Sequence, residues 1–167
     1  GFPKSRNLRQ MLFYFKHLVF MRELLKESQN EIPDILNEII FDLGQNYSLF
    51  LKNNSASYLF NGNQENNNED FDKYLTNRGY KFNKQNCDVG GYILLNDKKY
   101  SLIMDLGKSP EKEFSNSYQA GALSFEFNYL NKKIISNSGF FQKNKHQLNK
   151  ISRSSAAHST LIIDNTS

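Results

Sequence analysis

The stretch RSSAAHSTLIIDN, residues 153–165, sets Arg153 shortly before His158, one of only three histidines in the chain. An imidazole at the entrance of an apolar run can bind a metal, pass a proton or contact a glycan; equally it can satisfy local backbone groups. A guanidinium beside it can grip a substrate carboxylate through two parallel hydrogen bonds, or be a solvated loop charge. The remaining candidates carry less chemistry. His146, among lysines in FFQKNKHQLNK, reads as a surface residue in a basic loop that would attract a polyanion. His17, beside Lys16, reads as structural. Asp164 has no partner that would make it an acid or base. Glu126 reads as an isolated carboxylate on a strand face, so the carboxylate pair of a glycoside hydrolase is unsupported. Cys87 is the only cysteine; it excludes an internal disulfide and a multi-cysteine metal site, and reads as an ordinary buried thiol.

These groups must be carried by the elements around them. Residues 5–27 read as an amphipathic helix, with Leu8, Met11, Leu12, Phe15, Leu18, Val19, Arg22 and Leu25 at spacings of three and four and Ser5 as its cap. Ile35, Leu36, Ile39, Ile40, Leu43 and Tyr47 imply a second helix with Pro33 near its first turn, weakened by Gly44 toward its end. From about residue 58 the pattern changes: SYLF leads into an Asn-rich tract, Asn61–Asn68, that reads as a flexible surface loop, and FDKYLTNRGY reads as a short helix ending at Gly79. Two hairpins follow, one turning at Asn96-Asp97 and one at Asn131-Lys132. Leu123, Phe125 and Phe127 alternate with Ser124, Glu126 and Asn128, the period of a half-buried strand. Between the hairpins GKSPEKEFSNSYQAG reads as a long exposed loop, and STLIIDN reads as a last strand. The fold class is therefore α+β: a helical segment over residues 1–55, then an antiparallel sheet domain over 56–167 that stops before it is finished.

At 167 residues the chain can form one ordinary domain, or a small one plus part of another. Its net charge of +4 fits an acidic partner such as an anionic glycan. The charges are scattered and no aromatic-basic motif occurs, which argues against nucleic acid. MLFYFKHLVFM, residues 11–21, is too short to span a bilayer and is interrupted by Lys16 and His17. It also lacks the layout of a signal peptide, so the compartment stays open between periplasm and cytoplasm.

Three stretches taken in order, YQAGALSFEF, KKIISNSGF and SRSSAAHSTLIIDN, resemble the heparinase II/III-like family of polysaccharide lyases. SRNLR before the first helix and LFNG before the polar loop are similar to a bacterial subgroup, so the resemblance spans most of the chain. It implies the last helices of an α/α toroid followed by the first part of an antiparallel β-sandwich, with the active-site cleft between them. It also implies cleavage of a uronate-containing anionic polysaccharide, such as a glycosaminoglycan, by β-elimination. Several proton-transfer residues would lie in the toroid upstream of Gly1. The family's zinc-type site would fall on Gln119, Asn137 and His158, of which only His158 keeps its ligand type. The expectation is thus no metal cofactor, and a hydrogen-bonded cluster in its place. Ser117 occupies a position that can be a catalytic His in the family, with Tyr118 beside it. The resemblance leaves Arg153, His158 and Tyr118 as substrate contacts and the catalytic residues unassigned. A non-catalytic glycan-binding or structural domain on the same scaffold is the alternative.

Overall fold

Asn7, not Ser5, begins the first helix, α1 (Leu8–Glu27). The chain turns at Arg6, whose φ of 55° is left-handed, and this brings the Asn7 Oδ1 under the free amides of Arg9 and Gln10 at 2.9 and 3.1 Å. The Ser5 hydroxyl is spent on the Gln10 side chain. The computed structural model that carries this geometry describes residues 2–51, 58–65, 67–82, 88–130, 132–141 and 146–164. Cys87 and Asn131 lie outside the described residues.

The second helix, α2 (Asp34–Phe50), starts after Pro33 and runs straight through Gly44. Gly44 is small because the Phe82 ring lies against the helix there; a Cβ would meet it at 2.2 Å. Phe15 of α1 is the hub between the helices, with ring centroids 5.3 Å from Tyr47, 5.5 Å from Phe71 and 5.4 Å from Phe82. Phe71 belongs to α3 (Glu69–Asn77), whose end is held by a turn at Gly79. Each long helix also leaves apolar residues exposed away from this core, Phe13, Met21 and Leu24 on α1, and Ile35 and Phe41 on α2.

A five-stranded antiparallel sheet follows in the order β1-β2-β3-β4-β5. Its strands are β1 (Asp88–Val89), β2 (Tyr92–Asn96), β3 (Tyr100–Asp105), β4 (Phe125–Tyr129) and β5 (Lys132–Ile135). Sequence neighbours are sheet neighbours throughout, as hairpin connections require. The first hairpin turns later than the sequence suggested: Asn96 still pairs with Ser101, and the reversal runs from Asp97 to Tyr100. In the second, Lys132 already pairs with Tyr129, and Leu130 just after β4 has a left-handed φ of 47°. A short helix, α4 (Gln147–Ile151), precedes the final segment.

Two expectations are corrected here. The alternation along β4 is real, but its faces are reversed: Ser124 and Glu126 point into the protein while Leu123 is 47% exposed. Hydrogen bonds meet both residues there: the Ser124 carbonyl accepts from the Asp105 amide at 2.8 Å and the Ser124 amide donates to the Gly121 carbonyl at 2.9 Å, while the N–H partners of Glu126 all converge on Oε1 and its buried Oε2 has none among the described residues. Among the described residues 159–164 of STLIIDN no regular strand forms: Ile163 makes a single bridge, the Phe125 amide donates to the Ser159 carbonyl at 3.3 Å and the Leu161 amide to the Ala122 carbonyl at 3.2 Å, and Leu161, Ile162 and Ile163 lie exposed.

One buried cation ties helix to sheet. The Arg6 guanidinium donates to the Gly90 carbonyl at 2.9 Å, to the Lys108 carbonyl at 3.2 Å and to the Asp105 carboxylate, and lies over the Tyr92 ring at 4.7 Å. Gly107 leaves the room for it, since a Cβ there would come within 2.4 Å of the guanidinium carbon. Arg6→Ala would leave the Asp105 charge buried and two carbonyls bare, and is expected to cost about 3–5 kcal/mol of stability by urea unfolding. Arg6→Lys, with one compact head group, recovers only part of this.

Candidate functional site

The segment after residue 58, read from sequence as the start of a surface loop, is instead built into the interior. Asn61 and Asn63 are buried. The Asn61 side-chain amide donates to the Tyr92 hydroxyl and to Asp105 Oδ2, the latter at 3.1 Å, and that of Asn63 turns back to the Tyr58 carbonyl. The Leu59 amide donates to Glu126 Oε1 at 2.9 Å, and the Gly62 amide to Gln119 Oε1 at 3.2 Å. Asparagine suits this segment because its short stem brings two N–H donors to acceptors inside the fold.

Gly62 then reaches the floor of a cleft of about 410 Å³ between the start of α1 and the loop at residues 113–117. Its φ of +85° and the 2.7 Å approach to both the Asn7 amide and the Ser117 Cβ leave no space for a side chain. Across the gap Asn7 Nδ2 donates to the Ser117 hydroxyl at 2.8 Å, so one asparagine caps α1 and joins the helix to the sheet's loop. Arg9, Gln10 and Phe13 line the helical side; Glu113, Phe114 and Asn116 line the other. Lys4 Nζ sits over the Phe114 ring at 5.2 Å. Amides, hydroxyls, aromatic faces and a guanidinium in one open cleft are groups that recognise a hydroxyl-rich anionic chain.

The positions singled out from sequence lie beside this floor. Gln119 is buried, with Nε2 donating to the Gly139 and Ser152 carbonyls at 2.7 and 2.8 Å. His158 is half-buried, and its Nε2 reaches the same Ser152 carbonyl at 2.8 Å. Because a carbonyl only accepts, the His158 proton sits on Nε2. Burial pushes the imidazole below its usual pKa, against the upward pull of the Ser152 bond. Asn137 stands apart from these two. Its backbone and side-chain amides both donate to Glu126 Oε1 at 3.2 Å, and its Oδ1 accepts from the Ser159 amide at 3.2 Å. Gln119 and His158 are thus joined through Ser152, while Asn137 reaches the neighbourhood of His158 through Ser159 and through the Ser138 amide, which donates to the Ala157 carbonyl at 3.0 Å.

Glu126 is no surface carboxylate: it is fully buried, and burial raises its pKa against the three N–H groups at Oε1 and the nearby Lys133 charge. Tyr118 is half-buried, its hydroxyl accepting from Ser109 at 3.3 Å, and Arg153 is exposed. The Ala120 amide donates to the Arg153 carbonyl at 3.1 Å, which sets the Tyr118 loop beside the segment carrying Arg153 and His158. His17 is exposed, and its Nδ1 is bonded to the Phe13 carbonyl at 2.7 Å. His146 is exposed and caps α4, and Asp164 is exposed.

The zinc-type constellation does not fit these residues. The Gln119 amide has committed its oxygen and both its N–H directions to backbone groups, Asn137 Oδ1 is taken by Ser159, and His158 Nε2 is taken by Ser152. Neutral amides are also weak ligands for a transition metal. Among the described residues no three His, Cys, Asp or Glu side chains gather as a metal set. The cleft residues Asn7, Gln10, Phe13 and Gly62 escaped sequence reasoning as site residues; Asn7 lies in SRNLR and Gly62 in LFNG, while Gln10 and Phe13 stand in no motif. Their roles depend on a contact between segments far apart in the chain.

Residues 81–167 match the family model described as heparinase II/III-like, C-terminal. Among solved structures the chain resembles a crystal structure of heparinase III, with a TM-score of 0.78 at 16% identity over 99% of this chain and 32% of that one. It resembles a heparan sulfate lyase HepC mutant from Pedobacter heparinus with a TM-score of 0.73, again at 16% identity, over 99% of this chain and 30% of that one. At such identity the likeness is one of fold, and the chain spans about a third of the length of these structures. No curated protein matches the sequence.

Two outcomes follow from the His158 geometry. With a folded pKa below the ordinary value of about 6.5, the unfolded chain takes up the proton first. The contribution of His158 is therefore complete above about pH 6.5 and is lost as the pH falls from there through the folded pKa. Urea midpoints across this range should fall more steeply for the native protein than for His158→Gln, which keeps a donor for Ser152. Extended dialysis against EDTA should leave the thermal midpoint unchanged; a drop reversed by zinc would contradict the donor assignment above.

Proposed function

The chain belongs to the heparinase II/III-like family, and from that premise we propose that it is a fragment of a polysaccharide lyase cleaving a uronate-containing anionic glycan by β-elimination. The observation that carries this reading is the polar and aromatic cleft between the start of α1 and the 113–117 loop. In this proposal α1 and α2 close a helical toroid, residues 1–55 belong to it, and residues 56–167 open an antiparallel β-sandwich. The glycan runs along the seam.

β-Elimination needs a base to take the proton beside the uronic carboxyl, a donor to hold the enolate-like charge, and an acid at the leaving oxygen. Arg9 supplies a cation in the cleft, offset by the single carboxylate of Glu113. Arg153, His158 and Tyr118 are assigned as contacts to the glycan, brought together by the Ala120–Arg153 and Gln119–Ser152 hydrogen bonds. His158 offers the chain its Nδ1 lone pair, since Nε2–H is held by Ser152. No residue of this chain is assigned as the base. Ser117, hydrogen-bonded to Asn7, has no acid–base chemistry near neutral pH.

That feature favours the second reading, a domain that binds glycan on the lyase scaffold without cleaving it. The two are separated by incubating the full-length protein with hyaluronan, heparosan, heparan sulfate, alginate and polygalacturonate, and following ultraviolet absorbance from the new unsaturated bond. The lyase reading expects absorbance to grow with at least one of them, and His158→Ala to lower kcat/KM by about tenfold or more with its fold intact. Tight binding without any unsaturated product would leave the binding domain as the function.

A further inference from the structure

Phe13 is 56% exposed yet lines the cleft, while the core stripe of its helix runs along Leu8, Met11, Leu12, Phe15 and Val19. A bare phenyl ring in water is uninformative when alone, but this one is held in place. The His17 imidazole packs against it with centroids 4.0 Å apart and planes at 36°, and is itself pinned by the 2.7 Å bond from Nδ1 to the Phe13 carbonyl. Tyr14 adds an edge contact at 5.9 Å and is fixed in turn, its hydroxyl accepting from Gln10 Nε2 at 2.8 Å. Gln10 also receives the Ser5 hydroxyl. An ordered aromatic surface thus stands in a cleft that also presents the neutral hydrogen-bonding groups of Asn7, Gln10, Asn116 and Ser117, with Arg9 and Glu113 as its charged members.

We infer that Phe13, backed by His17, is a stacking platform for one pyranose ring of the glycan, a subsite that rests on the glycan reading above. A sugar presents one face of C–H groups, slightly positive, which suits the negative face of a phenyl ring, and presents hydroxyls at its rim, which suit the amides of Asn7, Gln10 and Asn116. The cleft volume, about 410 Å³, lies within the range of small-ligand sites. Pre-fixing of the ring by His17 spares the ordering cost that a free side chain would incur on binding. Phe20, Met21 and Leu24 are exposed along the same helix but do not line the cleft, so the platform is confined to Phe13 and its supports.

The test uses the full-length protein and short oligosaccharides of hyaluronan, heparosan, alginate and polygalacturonate, with Kd by calorimetry and the thermal midpoint measured on each variant. Phe13→Leu keeps an apolar side chain and removes the ring; Phe13→Trp keeps a ring. The platform expects Leu to weaken binding by roughly tenfold and Trp to hold it within about twofold, with midpoints unchanged. Unchanged affinity in Phe13→Leu overturns the platform while leaving the glycan reading standing. A midpoint that falls in both variants makes Phe13 a packing contact and also overturns it. Failure of the unmodified protein to bind any of the oligosaccharides overturns the glycan reading, and the subsite with it.

Discussion

A buried guanidinium is the constraint on which the arrangement depends. Removing Arg6 and Asp105 from water costs several kcal/mol for each ion, and direct attraction recovers this only if the remaining donors and acceptors are also satisfied. Here they are. Arg6 spreads its donors over Asp105 and two carbonyls of different loops, and Asp105 takes further bonds from the Gly107 amide at 3.1 Å and from Asn61 at 3.1 Å. Tyr92 closes the group from the sheet side, its ring beneath the cation and its hydroxyl donating to the Arg6 carbonyl at 3.0 Å. Such a set has one geometry, because the planar fork of arginine cannot meet all these partners in another. The entrance to α1, the end of β3, the loops at Gly90 and Lys108, and the segment of Asn61 are therefore fixed together.

The cleft inherits its shape from that lock. Once Asn61 is held by Asp105, Gly62 must follow beneath Asn7 and Ser117, and its amide meets Gln119. Gln119 passes the constraint to Ser152, whose carbonyl also holds His158. A second line starts three residues before Gly62, from Leu59 to Glu126, and runs through Asn137 to Ser159. Both lines end on the 152–159 segment, which has almost no regular secondary structure. Hydrogen bonds from buried side chains do there what a ladder does in a sheet.

This explains which parts of the chain were legible in the sequence. α1 and α2 announce themselves because their apolar residues recur with the helical period and face one core, and the hairpins do so through alternation and turn residues. The fold class and the family followed from those and from three short motifs. What sequence missed is polar burial. Alternation along β4 gives two faces without saying which is inside, and hydrophobicity chose Leu123 over Glu126, because nothing nearby in sequence reveals the amides of Leu59 and Asn137 that await the carboxyl. The Asn-rich segment was misread for the same reason. Its composition is that of a surface loop, and only partners such as Tyr92 and Asp105, dozens of residues away, make burial affordable. Ser5 lost the cap to Asn7 through a backbone turn at Arg6 that propensity does not record.

The junction of Gln119, Asn137 and His158 is consistent with itself once metal chemistry is set aside. A metal asks its ligands for lone pairs alone, and would leave the Ser152, Gly139 and Gly62 backbone groups to find partners elsewhere. Those groups comprise two carbonyls and one amide, so a side chain with both donors and an acceptor satisfies all three, and glutamine is such a side chain. Asparagine at 137 does the equivalent between a buried carboxyl and the Ser159 amide, donating to one and accepting from the other. An imidazole or carboxylate at either position would leave a buried donor or acceptor unmet, at about 1–3 kcal/mol each. His158 alone needs only to donate, which a neutral imidazole does without change. The three residue types are thus accounted for by the hydrogen bonds they make, and the junction reads as a scaffold that aligns the cleft's floor.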